Sequence, residues 1–159
     1  MGQQPFAERI QPVNLCEIYQ TLSRSLGQAA SSAGLRISQD NLAEIPEFKS
    51  DPWSISQIFF ILMQNSIEAA FGNGDNELKI EAEKKGDCIV IKFKDNCGGI
   101  PQENIEKIFE PFFTTRKRHK GCGLGLAILK RILMNMKGDV KIRSTEGSGT
   151  QFTITFPVK

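Results

Sequence analysis

The sequence predicts a single α/β (α+β) domain, and three observations carry that expectation. Three stretches place apolar residues at helical spacing, two alternating segments flank a tight turn, and a second alternating pair closes the chain. The 159 residues suffice for one packed core, and no Pro-, Ser- or Gly-rich linker divides them. With 40% hydrophobic and 24% charged residues, the composition is that of an ordinary globular protein, far from the signature of disorder.

The first helix is expected from Pro12 to about Ala33, where Leu15, Ile18, Tyr19, Leu22 and Leu26 share one face and Gly34 supplies a stop. Leu35 to Ser38 alternates as a short strand, and Ile45 to Lys49 reads as another, weakened by Pro46. Asp51-Pro52 opens a second helix, because Asp caps well and Pro is tolerated in a first turn; it should run to about Phe71, ahead of Gly72-Asn73-Gly74. Residues 77–84 and 87–94 alternate around Lys85-Gly86-Asp87 as a β-hairpin. The stretch 95–123 is rich in Gly, Pro and charge, with one brief helix near Gln102 to Ile105; loops of that length tend to carry function. A third helix follows from Leu124 to Met136, then strands near 139–144 and 150–156 around Glu146-Gly147-Ser148-Gly149.

A net charge of +2 gives no global field that would draw the chain to nucleic acid or to an anionic membrane. The basic run Arg116-Lys117-Arg118-His119-Lys120 therefore needs a local reading, either as a solvated loop or as a site for anions. Cys16, Cys88, Cys97 and Cys122 form no CxxC pair, so neither a zinc site nor a disulfide framework is expected, and a reducing, cytoplasmic setting fits. No apolar run approaches the roughly 20 residues that span a bilayer, so a membrane anchor in a longer parent would lie in another segment.

Three groups of residues could carry chemistry. In the second helix Ile58, Leu62, Asn65 and Ala69 share one face, which sets an amide among apolar neighbours: either a satisfied core Asn or an oxygen ligand to a hard cation such as Mg²⁺. Asp95-Asn96-Cys97-Gly98-Gly99-Ile100 follows a strand directly. It reads as a turn, or as a carboxylate that accepts from a base's exocyclic amine while glycines let a flat ring approach the backbone. Gly121-Cys122-Gly123-Leu124-Gly125-Leu126 opens the third helix, where exposed N–H groups favour phosphate, and Arg116 and Lys120 stand just before it.

The order of these groups resembles that of a known superfamily, the ATPases that unite gyrase, heat-shock chaperones, histidine kinases and mismatch-repair proteins. Residues 57–70, Gln-Ile-Phe-Phe-Ile-Leu-Met-Gln-Asn-Ser-Ile-Glu-Ala-Ala, look like its N box, and Asp95 to Ile100 like its first glycine box. Ile108-Phe109-Glu110-Pro111-Phe112-Phe113-Thr114-Thr115 is similar to the F box of sensor histidine kinases, Gly121 to Leu126 to the second glycine box, and Gly147 to Phe152 to the terminal Gly-Thr motif. The resemblance covers roughly residues 14–158, leaving 1–13 as a linker or expression remnant and 14–159 as the catalytic domain. It implies a two-layer sandwich: a mixed, mostly antiparallel sheet of about five strands, packed on one face by three helices and closed by a lid.

The resemblance implies ATP and Mg²⁺ as cofactors. Asn65 would hold the metal, Asp95 would bind the adenine amine with Thr150 in support, and Gly99 and Ile100 would line the base pocket. Gly121, Gly123 and Gly125 would meet phosphate in a lid over about 107–122. Asn65 and Lys120 would act on the transferred group, and Glu68, Ala69, Phe112, Thr114, Thr115, Cys122, Leu124 and Leu126 complete the implied nucleotide site; Phe112 and Phe113 read equally as a staple for the lid. Three positions depart from the pattern. Ile61 stands where hydrolysing relatives carry a Glu base, so attack by water should be poor. Cys97 replaces a glycine of the first box, and Glu68 replaces a basic residue found in many sensor kinases.

The implied function is that of a two-component sensor kinase: a γ-phosphoryl group passes to a histidine on a dimerisation and phosphotransfer domain, and from there to a response regulator. The single histidine, His119, lies in the basic run and reads as a solvated lid residue, so the acceptor would come from another segment or partner. Two other classes compete: a nucleotide-responsive binding module with little catalysis, and a serine kinase of the anti-sigma factor type. No nucleic acid and no direct membrane contact are expected.

Overall fold

Each helix begins or ends where a neighbour takes over a backbone group that the helix leaves unpaired. The computed structural model describes residues 9–70, 74–113 and 124–158. At the start of α1 (Leu15–Ala33) the Asn14 side chain accepts from the Glu17 N–H at 3.1 Å, and at its end the Gly34 N–H donates to the Ala30 and Ser31 carbonyls. Asp51 caps α2 (Pro52–Ala70), accepting from the Trp53 N–H at 3.1 Å and the Ser54 hydroxyl at 2.7 Å. Arg9 pairs with the same buried carboxylate at 3.3 Å and lies 5.7 Å from the Trp53 ring centroid, which fastens the entering chain to the head of α2. The N-cap residue of α3 (Gly125–Asn135) is Leu124, whose side chain makes no capping bond.

The strands are β1 (Gln11–Val13), β2 (Leu35–Gln39), β3 (Phe48–Ser50), β4 (Asn76–Lys85), β5 (Cys88–Asp95), β6 (Asp139–Thr145) and β7 (Gly149–Pro157). The main sheet has five strands in the order β2-β4-β5-β7-β6; β2 runs parallel to β4 and every other pair is antiparallel. Strands β1 and β3 pair antiparallel as a separate ribbon, with Val13 opposite Phe48. Residues 11–13 read as linker in the sequence, and this pairing brings them into the folded body. Short 3-10 turns at Leu42–Glu44 and Gln102–Asn104 complete the framework.

One face of the sheet is apolar and the other polar, the pattern of an antiparallel sheet covered on a single side. Ile80, Phe93 and Phe152 stand in one row across β4, β5 and β7, and Ala82, Ile91 and Ile154 in the next. The three helices pack over this face in one continuous core, and the Phe59 ring of α2 meets Phe93 edge-on at 5.1 Å. Burying a side chain such as Phe93 contributes roughly 1.5–3 kcal/mol, so these rows fix the strand register as well as the layer packing. The expected two-layer α/β sandwich is what the chain forms.

Beyond the last apolar row the inward-facing positions change character. Leu78, Asp95, Thr150 and Ser144 form the next row across β4, β5, β7 and β6, and all but the first are polar. Asp95 and Thr150 are nevertheless buried, each 7% exposed. The end of the sheet is therefore where polar groups are held inside the fold.

Candidate functional site

Asp95 is the centre of this polar row. Its Oδ1 accepts from two backbone groups, the Cys97 N–H at 3.1 Å and the Thr150 N–H at 3.2 Å, and its Oδ2 accepts from the Ser66 hydroxyl of α2 at 2.8 Å. The contact to Cys97 is the local turn expected of an Asp at a strand end, while Ser66 and Thr150 reach it from 29 and 55 residues away. The carboxylate therefore serves the turn and is also pinned by three donors. An ionised carboxyl only accepts, and its two oxygens offer about four acceptor sites, so capacity for a further donor remains.

Two loops close beneath it. Ser144 Oγ accepts from the Ile100 N–H at 2.7 Å, lies 2.8 Å from Thr150 Oγ1 and 3.0 Å from the Gly149 carbonyl oxygen. The Gly147 N–H donates to the Gly98 carbonyl at 2.7 Å, tying the 96–100 loop to the β6–β7 turn. Gly99 has φ +73°, and a Cβ there would sit 2.8 Å from the Thr145 carbonyl carbon; at Gly149, with φ +138°, it would sit 2.9 Å from the Asn96 Cα. Glycine at these two positions is what lets the backbones meet. Asn96 secures the outer side, accepting from the Glu77 N–H at 2.7 Å through its side chain.

The α2 edge runs alongside. Ile58 and Leu62 are buried, whereas Ile61, Asn65, Glu68 and Ala69 are half-buried. Asn65 thus sits at the margin of the apolar face rather than within it. A Cβ on Gly125 would lie 3.5 Å from Ile61 Cγ2, so the first residue of α3 abuts α2 one turn before Asn65. The N-terminus of α3, the Asn65 edge and the Asp95 row border one region, an arrangement suited to a ligand that is anionic at one end and donates hydrogen bonds at the other.

Of the expected site residues, Asp95, Thr150, Gly99 and Ile100 converge at the sheet end, and Asn65, Glu68 and Ala69 line the adjoining edge of α2. Leu124, Gly125 and Leu126 form the start of α3. Thr114, Thr115, Lys120, Gly121, Cys122 and Gly123 lie outside the described residues. Phe112 does not seat anything within the described residues: it is 70% exposed and has φ +67°, while Phe113 and the buried Ile108 pack against the core. Phe109 lies beneath Lys130 of α3, with the ammonium 5.2 Å from the ring centroid. Sequence reasoning passed over Ser66 and Ser144. Ser66 had a signal, since a hydroxyl occupies a buried position of an otherwise apolar stripe; Ser144 had none, because it alternates as any strand serine does.

Known proteins share this fold. Residues 50–159 match the family described as histidine kinase-, DNA gyrase B-, and HSP90-like ATPase. The chain is 33% identical over 150 residues to the sensor histidine kinase ZraS of Salmonella typhimurium, covering 94% of this chain and 31% of that protein. It is 31% identical over 134 residues to sporulation kinase E of Bacillus subtilis, covering 84% of this chain and 18% of that one. The chain thus spans less than a third of either relative. Among solved structures, the catalytic domain of histidine kinase ThkA superposes with a TM-score of 0.77 at 28% identity, covering 93% of this chain and 95% of that one. The chain is therefore a homologue of sensor histidine kinase catalytic domains and belongs to the histidine kinase-, DNA gyrase B-, and HSP90-like ATPase family.

Proposed function

We propose that this chain grips Mg-ATP between the Asp95 row and the start of α3 and donates its γ-phosphoryl group to a histidine on a separate dimerisation and phosphotransfer domain. The observation that carries the reading is the Asp95 carboxylate, buried, held by three donors and still able to accept from an exocyclic amine. The residues fit the ligand. Asp95 suits the base, the N-terminus of α3, whose N-cap Leu124 makes no side-chain capping bond, suits phosphate, and the Asn65 amide oxygen is a hard donor suited to Mg²⁺. Among the described residues no cluster of His, Cys, Asp or Glu side chains could hold a metal by itself. When bound, the metal would neutralise phosphate charge.

The chain's own contribution is positioning. Thr150 and Ser66 hold Asp95, and Gly99 and Ile100 would border the base. Ile61 offers an alkyl group where a base for water would stand, so water is left unactivated while an imidazole, which already carries a lone pair, needs no such help. Lys120, with Thr114 and Thr115, would meet the phosphates from the lid. The response regulator would take the group onward: the ThkA kinase has been crystallised in complex with response regulator protein TrrA, and the full-length ShkA kinase with AMPPNP. On this reading the domain works on the cytoplasmic side of a longer parent that is anchored in the membrane.

The test has two stages. Calorimetric titration with ATP, with and without Mg²⁺, should give binding that strengthens with the metal, and Asn65→Ala should remove the metal's contribution. Labelled ATP together with a separately made acceptor domain should then give acid-labile phosphate on histidine. Tight binding without transfer would make the chain a nucleotide-responsive module, and acid-stable phosphoserine on an acceptor would make it a serine kinase.

A further inference from the structure

The hydrogen-bond accounting around Ser144 fixes something the heavy atoms alone do not display: which way the Thr150 hydroxyl points. Ser144 Oγ has one proton and two lone pairs, and three neighbours within reach. The Ile100 N–H at 2.7 Å must occupy one lone pair, because an amide nitrogen only donates. The Gly149 carbonyl oxygen at 3.0 Å only accepts, so it takes the Ser144 proton. Thr150 Oγ1, at 2.8 Å, then bonds to Ser144 by donating into the remaining lone pair. This arrangement fills every site on Ser144. The reverse, with Ser144 donating to Thr150, leaves the Gly149 contact without a proton and one lone pair idle.

Thr150 is thereby left with two lone pairs and no proton of its own to offer. It stands directly opposite Asp95 in the register, on the same inward face and equally buried. Asp95 itself is an acceptor, with its three donors already coming from the protein side. We infer that Ser144 is a positioning residue that sets the polarity of the base pocket: by consuming the Thr150 proton it makes both inward-facing groups, Asp95 and Thr150, acceptors, and so selects a 6-amino over a 6-oxo purine. An exocyclic amine has two N–H groups to give to such a pair. A 6-oxo group sets a lone pair against both.

This inference rests on the nucleotide reading of the site, and one set of titrations separates the two. The full chain would be titrated with ATP and with inosine triphosphate, and the ratio of dissociation constants compared among wild type, Ser144→Ala, Ser144→Thr and Thr150→Val. Removing the Ser144 hydroxyl frees the Thr150 proton to turn into the pocket and donate to a 6-oxo group. The preference for ATP should therefore narrow by about three- to tenfold, the worth of one neutral hydrogen bond. Ser144→Thr keeps a hydroxyl and should retain the wild-type ratio. Thr150→Val, nearly isosteric and lacking the acceptor, should narrow the preference by a similar factor, and it provides the measurement if Ser144→Ala does not fold. A purely structural Ser144 would weaken both nucleotides alike, and an unchanged ratio in Ser144→Ala or in Thr150→Val overturns the inference. Failure of the wild-type chain to bind ATP would overturn the nucleotide reading and this one with it.

Discussion

Asp95→Asn changes the central carboxylate with almost no change of shape, which makes its consequences readable from the contacts alone. The amide oxygen can keep the Cys97 and Thr150 N–H groups now held by Oδ1, at 3.1 and 3.2 Å. The amide nitrogen then replaces Oδ2, and the Ser66 hydroxyl, now 2.8 Å away as a donor, can rotate to accept from it. The fold loses about 1 kcal/mol, because the Ser66 proton gives up the Oδ2 acceptor while the Cys97 and Thr150 N–H groups keep theirs. The ligand fares differently. Its amine meets an N–H instead of a carboxylate, forfeiting a hydrogen bond to a charged group worth about 1.5–3 kcal/mol, or roughly a 10- to 150-fold loss of affinity. Calorimetric titration with ATP reads the affinity and a thermal melt reads the fold. An Asp95→Asn variant that melts near wild type and binds ATP with wild-type affinity would refute the role assigned to the carboxylate.

Other substitutions separate the support from the site. Ser66→Ala strips Oδ2 of its protein donor; a melting temperature lowered by the equivalent of about 1–3 kcal/mol is expected, together with weaker ATP binding, and an unchanged melt would count against the bond. Gly99→Ala forces a Cβ against the Thr145 carbonyl at a positive φ, which should cost about 1–3 kcal/mol or more and be visible in chemical denaturation as a lower midpoint. Asp51→Ala removes the α2 cap and the partner of Arg9 at a site remote from the Asp95 row; denaturation should register a loss of about 1–2 kcal/mol or more while ATP affinity stays within about twofold.

Much of the fold was legible because local chemistry and tertiary packing agree. The period of α1, the Asp51 cap of α2 and the alternation of β4 and β5 all state in sequence what the core then uses. What could not be read depends on distant partners. Gln11–Val13 is three residues long and contains Pro12, so only its pairing with Phe48–Ser50 makes it a strand. The site divides in the same way. Asp95, Gly99 and Thr150 stand in motifs whose residue types suggest the use proposed for them, whereas the pins on Asp95 and Thr150 are ordinary serines made consequential by the register that sets β7 against β5 and β6. Asn65 shows the opposite case. Helical spacing placed it on an apolar face, but that face curves away from the core at its edge, and so it is left half-buried.

The polar row at the sheet end also has an evolutionary consequence. A one-residue slip of β7 against β5 would exchange the faces, bringing Gln151 or Gly149 opposite Asp95 in place of Thr150. The rows of Ile80, Phe93 and Phe152 forbid that slip, so on the proposed reading base recognition is calibrated by residues of the apolar core. Drift in these distant phenylalanines and isoleucines is therefore not neutral merely because it preserves stability. Selection on binding reaches into the core, and the hydrophobic interior is inherited as part of the site.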